Sequence, residues 1–201
     1  LLENSIDAKA NNVRLIIKDS GKTLIQVIDD GIGMSAEDIK VCFLRHSTSK
    51  IRDSKDLFDL KFMGFRGEAL SSIASVSQMS IISNTDDQIE IGNKIKINGG
   101  RLVLQEEQVL KRGTSVSVEN LFFNIPARRN FLKSDSVELR HIIDEFHRIS
   151  LINHNINFTF INNGNEIFNL KKSIFKERII RVFGKSTLEK LVPISEVTDF
   201  V

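Results

Sequence analysis

Two β-branched apolar runs, "VRLIIK" (13–18) and "TLIQVID" (23–29), are separated by only four residues, "DSGK". A connection that short cannot carry a crossover, so the two runs must pair antiparallel as a hairpin. Further strand-like runs recur as "MSIISN", "IEIGNKIKING", "RLVLQEE" and "GTSVSVENLF", and "NINFTFINNGNEIFNL" reads as a second hairpin turning at "NNGN". Helical spacing marks the opening "LLENSIDA", which reads as the last turns of a helix. It also marks "SAEDIKVCFLRH", "EALSSIASVS" (68–77), "DSVELRHIIDEFHRISLI" (135–152) and "SIFKERIIRVFG", which begins near 173 and stops at Gly184. Ser35 is placed to cap the second of these, with Asp38 at the third helical position. Helices and antiparallel pairs mix without strict β-α-β alternation. The expected class is α+β: a two-layer α/β sandwich with helices on one face of a mixed, mostly antiparallel sheet.

The chain has 201 residues and a net charge of +2, so it has no strong polyelectrolyte character overall. Residues 171 to 190 are the exception, with seven Lys or Arg against two Glu. That run is either a solvated helix face or a basic patch for nucleic acid; the candidates are Lys171, Lys172, Lys176, Arg178, Arg181 and Lys185. The single cysteine, Cys42, rules out an internal disulfide and fits a reducing cytoplasm; in "IKVCFL" it reads as a small hydrophobe. No apolar run approaches the roughly 18 residues of a membrane span. Between 47 and 67 periodicity fades and polar residues dominate, so a long loop is expected there.

Two short motifs mislead. "GKT" at 21–23 has isoleucine where a P-loop needs its first glycine, and it lies in the hairpin turn. "GIGMSA" at 31–36 fits a dinucleotide fingerprint, but Asp29 and Asp30 directly precede it and would repel a pyrophosphate. More informative is the set in which "VIDDGIGM" stands. "ENSIDA" lies upstream on a helix. "GFRGEAL" (64–70) runs a glycine pair into a helix N-terminus, where free N–H groups and the helix dipole favour an anion. "GTSVSVENLFFNIPARR" (113–129) follows.

These stretches, in this order, resemble the MutL family of DNA mismatch-repair ATPases, part of the wider group that shares a nucleotide fold with DNA gyrase B, Hsp90 and sensor histidine kinases. "RHSTSKI", "GFRGEALSSIASV" and "LFFNIPARRNFLKS" are close to the wording of that family in particular, and the resemblance runs over nearly the whole chain. It implies that Asp29 accepts a hydrogen bond from the adenine amine, which an acceptor-only carboxylate suits. It implies that Gly31 and Gly33 leave room for the purine, and that Thr114 supports Asp29. Asn4 corresponds to the asparagine that helps hold magnesium (Mg²⁺) against the phosphates of ATP. Gly64, Arg66 and Gly67 correspond to the phosphate loop. Ser47 to Phe65 corresponds to a lid over ATP, with Thr48 and Lys50 as contacts.

The resemblance also implies a slow ATP switch that dimerises through this region and couples mismatch recognition, by the protein MutS, to downstream repair on DNA. A nucleotide-gated binding module without catalysis, or a topoisomerase-type ATPase of the same fold, is the alternative. The family's general base precedes the magnesium asparagine by four residues, which falls before Leu1. Glu3 points about 100° around the helix from Asn4 and is expected to be structural. Lys9 stands where the family commonly has glycine, and Asp30 where asparagine is frequent. A nucleotide domain over 1–170 is expected, with a second α+β domain beginning at 171.

Overall fold

The protein is described by a computed structural model covering residues 1–44 and 67–192. Eight strands form one sheet: β1 (Asn12–Lys18), β2 (Leu24–Asp29), β3 (Gln78–Asn84), β4 (Ile91–Asn98), β5 (Arg101–Val109), β6 (Gly113–Glu119), β7 (Asn157–Asn162) and β8 (Asn165–Leu170). Their order across the sheet is β5-β4-β3-β6-β2-β1-β7-β8. The β1–β2 hairpin forms in antiparallel register, from Val13 opposite Asp29 to Lys18 opposite Leu24. β1 and β7 run parallel, and the other neighbours are antiparallel. The β7–β8 turn places Asn163 and Gly164 at φ 49° and 81°, the left-handed pair that a two-residue hairpin turn needs.

Strand alternation sends one set of side chains to the helices. In β1, Val13, Leu15 and Ile17 are buried while Asn12, Arg14 and Lys18 are exposed. The helices are α1 (Leu2–Asp7), α2 (Asp38–Val41), α3 (Ala69–Ser75), α4 (Pro126–Asn130), α5 (Asp135–Ile152), α6 (Phe175–Phe183) and α7 (Lys185–Leu188). Two apolar clusters lie beneath them. One packs Phe146 and Ile149 of α5 and Ile6 of α1 on β1, β2 and β7. The other packs Ile39 of α2 and Ile73 and Ala74 of α3 on β3, β4 and β6. The expected two-layer α+β sandwich is thus the observed architecture.

Two local differences have physical causes. Ser35 and Asp38 do bond each other, with the Asp38 amide on Ser35 Oγ at 3.0 Å and Ser35 Oγ on Asp38 Oδ2 at 2.9 Å, but regular helix starts only at Asp38. The short α4 in "NIPARRN" carries Pro126 in its first turn, a helix start too brief to show periodicity. Beyond residue 170, α6 packs on α5 and β8.

Candidate nucleotide site

Register decides which side chains meet at the centre of the sheet. Asp29 of β2 lies opposite Thr114 of β6, and Val27 lies opposite Val116, so all four share the helix-covered face. They floor a cleft of about 390 Å³ between the two apolar clusters. Asn4 and Ser5 of α1 and Ala8 directly after it form one wall; Met34, Asp38, Val41, Cys42 and Leu70 form much of the other. The lining is mostly apolar around a few polar groups, as small-molecule sites usually are.

Asp29 is the central polar group. Ser5 Oγ donates to its Oδ2 at 2.7 Å, and the Gly31 amide donates to its Oδ1 at 3.0 Å. Burial pushes the carboxyl above its ordinary value, against the Ser5 and Gly31 hydrogen bonds; the Asp30 charge adds to the rise, and the Thr114 amide opposes it. A carboxylate has about four lone-pair sites, so capacity remains for a ligand donor. Asp30 behaves oppositely. Its Oδ1 accepts the Asn11 and Asn12 amides at 2.7 and 2.8 Å, and its Oδ2 accepts Asn12 Nδ2 at 2.6 Å. Burial pushes this carboxyl up, but the Asn12 side chain and the Asn12 and Asn11 amides outweigh it, and the net shift is downward.

The glycines meet protein before ligand. A Cβ on Gly31 would lie 2.6 Å from the Ala8 carbonyl oxygen, and one on Gly33, at φ 71°, would lie 2.1 Å from that of Asn84. They let the loop press against α1 and the end of β3, which shapes the cleft from outside; neither lines it. Close by, α1 ends in a Schellman motif: the Lys9 amide bonds the Ile6 carbonyl at 2.8 Å and the Ala10 amide bonds the Ser5 carbonyl at 3.1 Å. Lys9 sits at φ 59°, the left-handed conformation expected where glycine is usual.

Asn4 lines the cleft, whereas Glu3 lines a separate apolar groove with His141 and Glu145. Thr114 is held by Ser83, whose Oγ lies 2.9 Å from Thr114 Oγ1 and also accepts the Met34 amide at 2.8 Å. Gly67, at φ 64°, precedes α3, and Leu70 of that helix reaches the cleft. Thr48, Lys50, Gly64 and Arg66, and the expected lid from Ser47 to Phe65, lie outside the described residues. Cys42 borders the cleft; burial pushes its thiol up to about 12, so it is a weak donor to the Ile39 carbonyl rather than a nucleophile.

Sequence reasoning missed Ser5 and Ser83. Ser5 is adjacent to Asn4 on a short helix, and the one available signal was a small hydroxyl on the face that meets Asp29. Among the described residues no three His, Cys, Asp or Glu side chains gather to hold a metal. The cleft offers the Asn4 amide oxygen, a hard donor that fits Mg²⁺ held chiefly by phosphates and water.

Of the basic candidates, Lys171, Lys172, Lys176, Arg181 and Lys185 are exposed. Arg178 is a correction. It is 0% exposed, and its guanidinium donates to the carbonyls of Ser150, His154, Ile156 and Lys171. It ties α6 to the end of α5 and cannot neutralise a DNA phosphate. Among the described residues no helix is long and apolar enough to cross a membrane.

Residues 1–124 match the histidine kinase-, DNA gyrase B-, and HSP90-like ATPase family. The DNA mismatch repair protein MutL of Flavobacterium psychrophilum is 58% identical over 201 residues, which are 100% of this chain and 33% of that protein. MutL of Bacteroides fragilis is 47% identical, over 100% of this chain and 32% of that protein. The chain therefore spans about a third of the length of such relatives. The Aquifex aeolicus MutL ATPase domain complexed with ADP superposes with a TM-score of 0.72 at 34% identity, covering 90% of this chain and 65% of that one. The N-terminal domain of a DNA repair protein superposes with a TM-score of 0.76 at 29% identity, covering 92% and 55%. A family match over more than half the chain places it: the chain belongs to the histidine kinase-, DNA gyrase B- and HSP90-like ATPase family, and within that family it is similar to MutL proteins along its whole length.

Proposed function

We propose that the chain is the ATP-binding part of a DNA mismatch-repair protein that binds and slowly hydrolyses ATP as a switch. The observation that carries this is the half-buried Asp29 carboxylate, held by Ser5 and Gly31 at the floor of an apolar cleft. An ionised carboxylate accepts a hydrogen bond from the exocyclic amine of adenine and repels the carbonyl oxygen of guanine at the same place. Ala8, Val27, Met34, Leu70 and Val116 flank the base and exclude water, so the hydrogen bond counts for more than it would in solvent. Thr114 and Ser83 fix the β6 side of the floor.

On the α1 wall of the cleft, Asn4 supplies an amide oxygen toward Mg²⁺. When bound, Mg²⁺ offsets the charge of the phosphates and polarises them for attack by water. Hydrolysis here is a matter of positioning and charge stabilisation, with no covalent step for the protein. In the full-length protein, ATP favours dimerisation of this region, and the nucleotide state is read by the mismatch-recognition protein MutS and by repair partners on DNA. MutL relatives over the whole chain and an ADP-bound MutL neighbour support this reading.

The test is a titration of the full-length protein with ATP and GTP, with and without Mg²⁺. ATP should bind at least about ten-fold more tightly than GTP, the equivalent of about 1.4 kcal/mol. Equal affinity for the two would refute adenine recognition by Asp29. Failure of the intact gene to restore repair in a strain lacking its own MutL, with ATP binding retained, would refute the role in repair.

A further inference from the structure

Ser83 of β3 is 0% exposed and does not line the nucleotide cleft, yet its hydroxyl meets three groups around it. The Met34 amide donates to Ser83 Oγ at 2.8 Å, the Gly113 carbonyl oxygen lies 3.1 Å from it, and Thr114 Oγ1 lies 2.9 Å from it. A hydroxyl has one hydrogen and two lone pairs. An amide N–H can only donate and a carbonyl oxygen can only accept. Met34 therefore takes one lone pair, and Gly113 takes the hydrogen. The second lone pair is all that is left for Thr114, which must be the donor. The reverse assignment leaves Ser83 Oγ and the Gly113 oxygen 3.1 Å apart with no hydrogen between them. The Thr114 proton is thus committed to Ser83, behind the floor of the cleft.

That commitment matters because of what stands opposite Thr114. Asp29 is its cross-strand partner, on the same face of the sheet. Side chains so paired have Cβ atoms about 4.5–5.5 Å apart, within reach of a hydroxyl turned toward a carboxylate. Asp29 already accepts the Ser5 hydroxyl and the Gly31 amide. A further donor from Thr114 would fill acceptor capacity that the adenine amine needs. A hydrogen bond to a charged acceptor is stronger than one between neutral groups, so Thr114 turns to Asp29 once Ser83 no longer holds it.

We propose that Ser83 is a positioning residue for adenine recognition: it takes the Thr114 proton and so keeps the Asp29 carboxylate open to the amine of the base. The proposal deepens the reading of the cleft as an ATP site and rests on it. The same hydroxyl holds the Met34 amide, so Ser83 sets the floor and one wall together.

The experiment measures the affinities of ATP and of inosine triphosphate for the full-length protein, from neutral to acid pH. Inosine triphosphate carries a carbonyl oxygen where ATP carries the amine. Wild type should prefer ATP, and ATP affinity should fall on acidification through the raised pKa of Asp29. In Ser83→Ala, Thr114 donates to Asp29, which then supports the amine less and repels the carbonyl less. The preference for ATP should shrink by about 2- to 12-fold, the equivalent of one ordinary hydrogen bond. The added donor also favours the charged carboxylate, so the acid step should move to lower pH. Asp30 beside Asp29, and Asp38 and Cys42 across the cleft, are the other ionisable groups there among the described residues, and none of them is altered. Ser83→Thr keeps the hydroxyl and should hold the wild-type preference and acid step. In a Thr114→Val background, Ser83→Ala should change neither, because the competing donor is gone. Equal weakening of both nucleotides, with preference and acid step held, would make Ser83 a structural hydroxyl and overturn the proposal. So would a shift that persists in the Thr114→Val background. Equal affinity of wild type for the two nucleotides would instead overturn adenine recognition by Asp29 itself.

Discussion

Replacing Asp29 with asparagine separates recognition from stability. The side chain keeps its shape, but one acceptor oxygen becomes a donor and the charge is lost. In the cleft, Oδ2 accepts the Ser5 hydroxyl and Oδ1 accepts the Gly31 amide. The amide oxygen of asparagine can keep the Gly31 bond, and the Ser5 hydroxyl can rotate to accept from the new NH₂. An adenine amine then meets a donor where it needs an acceptor. Losing a hydrogen bond to a charged group costs about 1.5–3 kcal/mol, or roughly 12- to 140-fold in affinity. Without nucleotide the sign reverses. Burial raises the Asp29 pKa in the folded chain, so at neutral pH the charged form opposes folding, and a neutral isostere removes that penalty. Equilibrium titration with an ATP analogue should show at least ten-fold weaker binding, while thermal unfolding of the nucleotide-free protein holds or shifts upward. Wild-type affinity in the variant would remove Asp29 from the site. Lost affinity together with a markedly lower melting temperature would make Asp29 a structural carboxylate and refute the reasoning.

The other expectations are shorter. Nucleotide affinity should fall on acidification through the folded pKa of Asp29, which lies above the ordinary aspartate value, because the protonated carboxyl donates where it must accept; binding of Asp29→Asn should lack that step. Gly33→Ala places a Cβ 2.1 Å from the Asn84 carbonyl oxygen at a left-handed φ of 71°, and urea denaturation should show a loss of about 3 kcal/mol. Lys9→Gly relieves a left-handed residue in the Schellman motif and should stabilise the chain by about 1 kcal/mol in the same assay. Arg178→Met strands four carbonyls in the interior and should cost about 3 kcal/mol or more, with no change in the salt dependence of DNA binding.

What was legible in the sequence is what period and turn length control. The four-residue "DSGK" connection set the β1–β2 hairpin, and alternation in "TLIQVID" put Asp29 on the same face as Val27. The helix 135–152 carried enough turns for its apolar stripe to be read, and its bounds match the structure. Features that depend on contact between distant segments were not readable. The Ser5–Asp29 hydrogen bond joins residues 24 apart, and Ser83 and Thr114 are 31 apart. Gly31 and Gly33 were singled out as room for a purine, whereas what a side chain there would meet is the backbone of Ala8 and Asn84, which no local pattern announces. Arg178 shows the same limit from the other side. In sequence it is one cation in a basic run; in space it fills the carbonyl-lined end of α5.

The paired aspartates of "VIDDGIGM" show how one turn serves two faces of the sheet. Consecutive residues at a strand end point to opposite sides. Asp29 therefore meets the helix-covered cleft, where burial raises its pKa, and Asp30 turns toward β1, where three N–H donors lower it. Burial acts upward on both carboxyls; it prevails at half-buried Asp29, and the N–H donors prevail at exposed Asp30. Two hydrogen bonds leave Asp29 with acceptor capacity to offer, whereas three bonds to Asn11 and Asn12 occupy Asp30 and fix the loop on β1. The two roles cannot be exchanged. An asparagine at 30 could keep an oxygen on the two main-chain amides and lose only the Asn12 Nδ2 bond, since Asn12 Oδ1 is held by Asn157 Nδ2 at 2.9 Å. An asparagine at 29 would present a donor to the ligand. The same substitution is thus nearly conservative at one position and disabling at the next, because alternation along the strand assigns the two side chains to different surroundings.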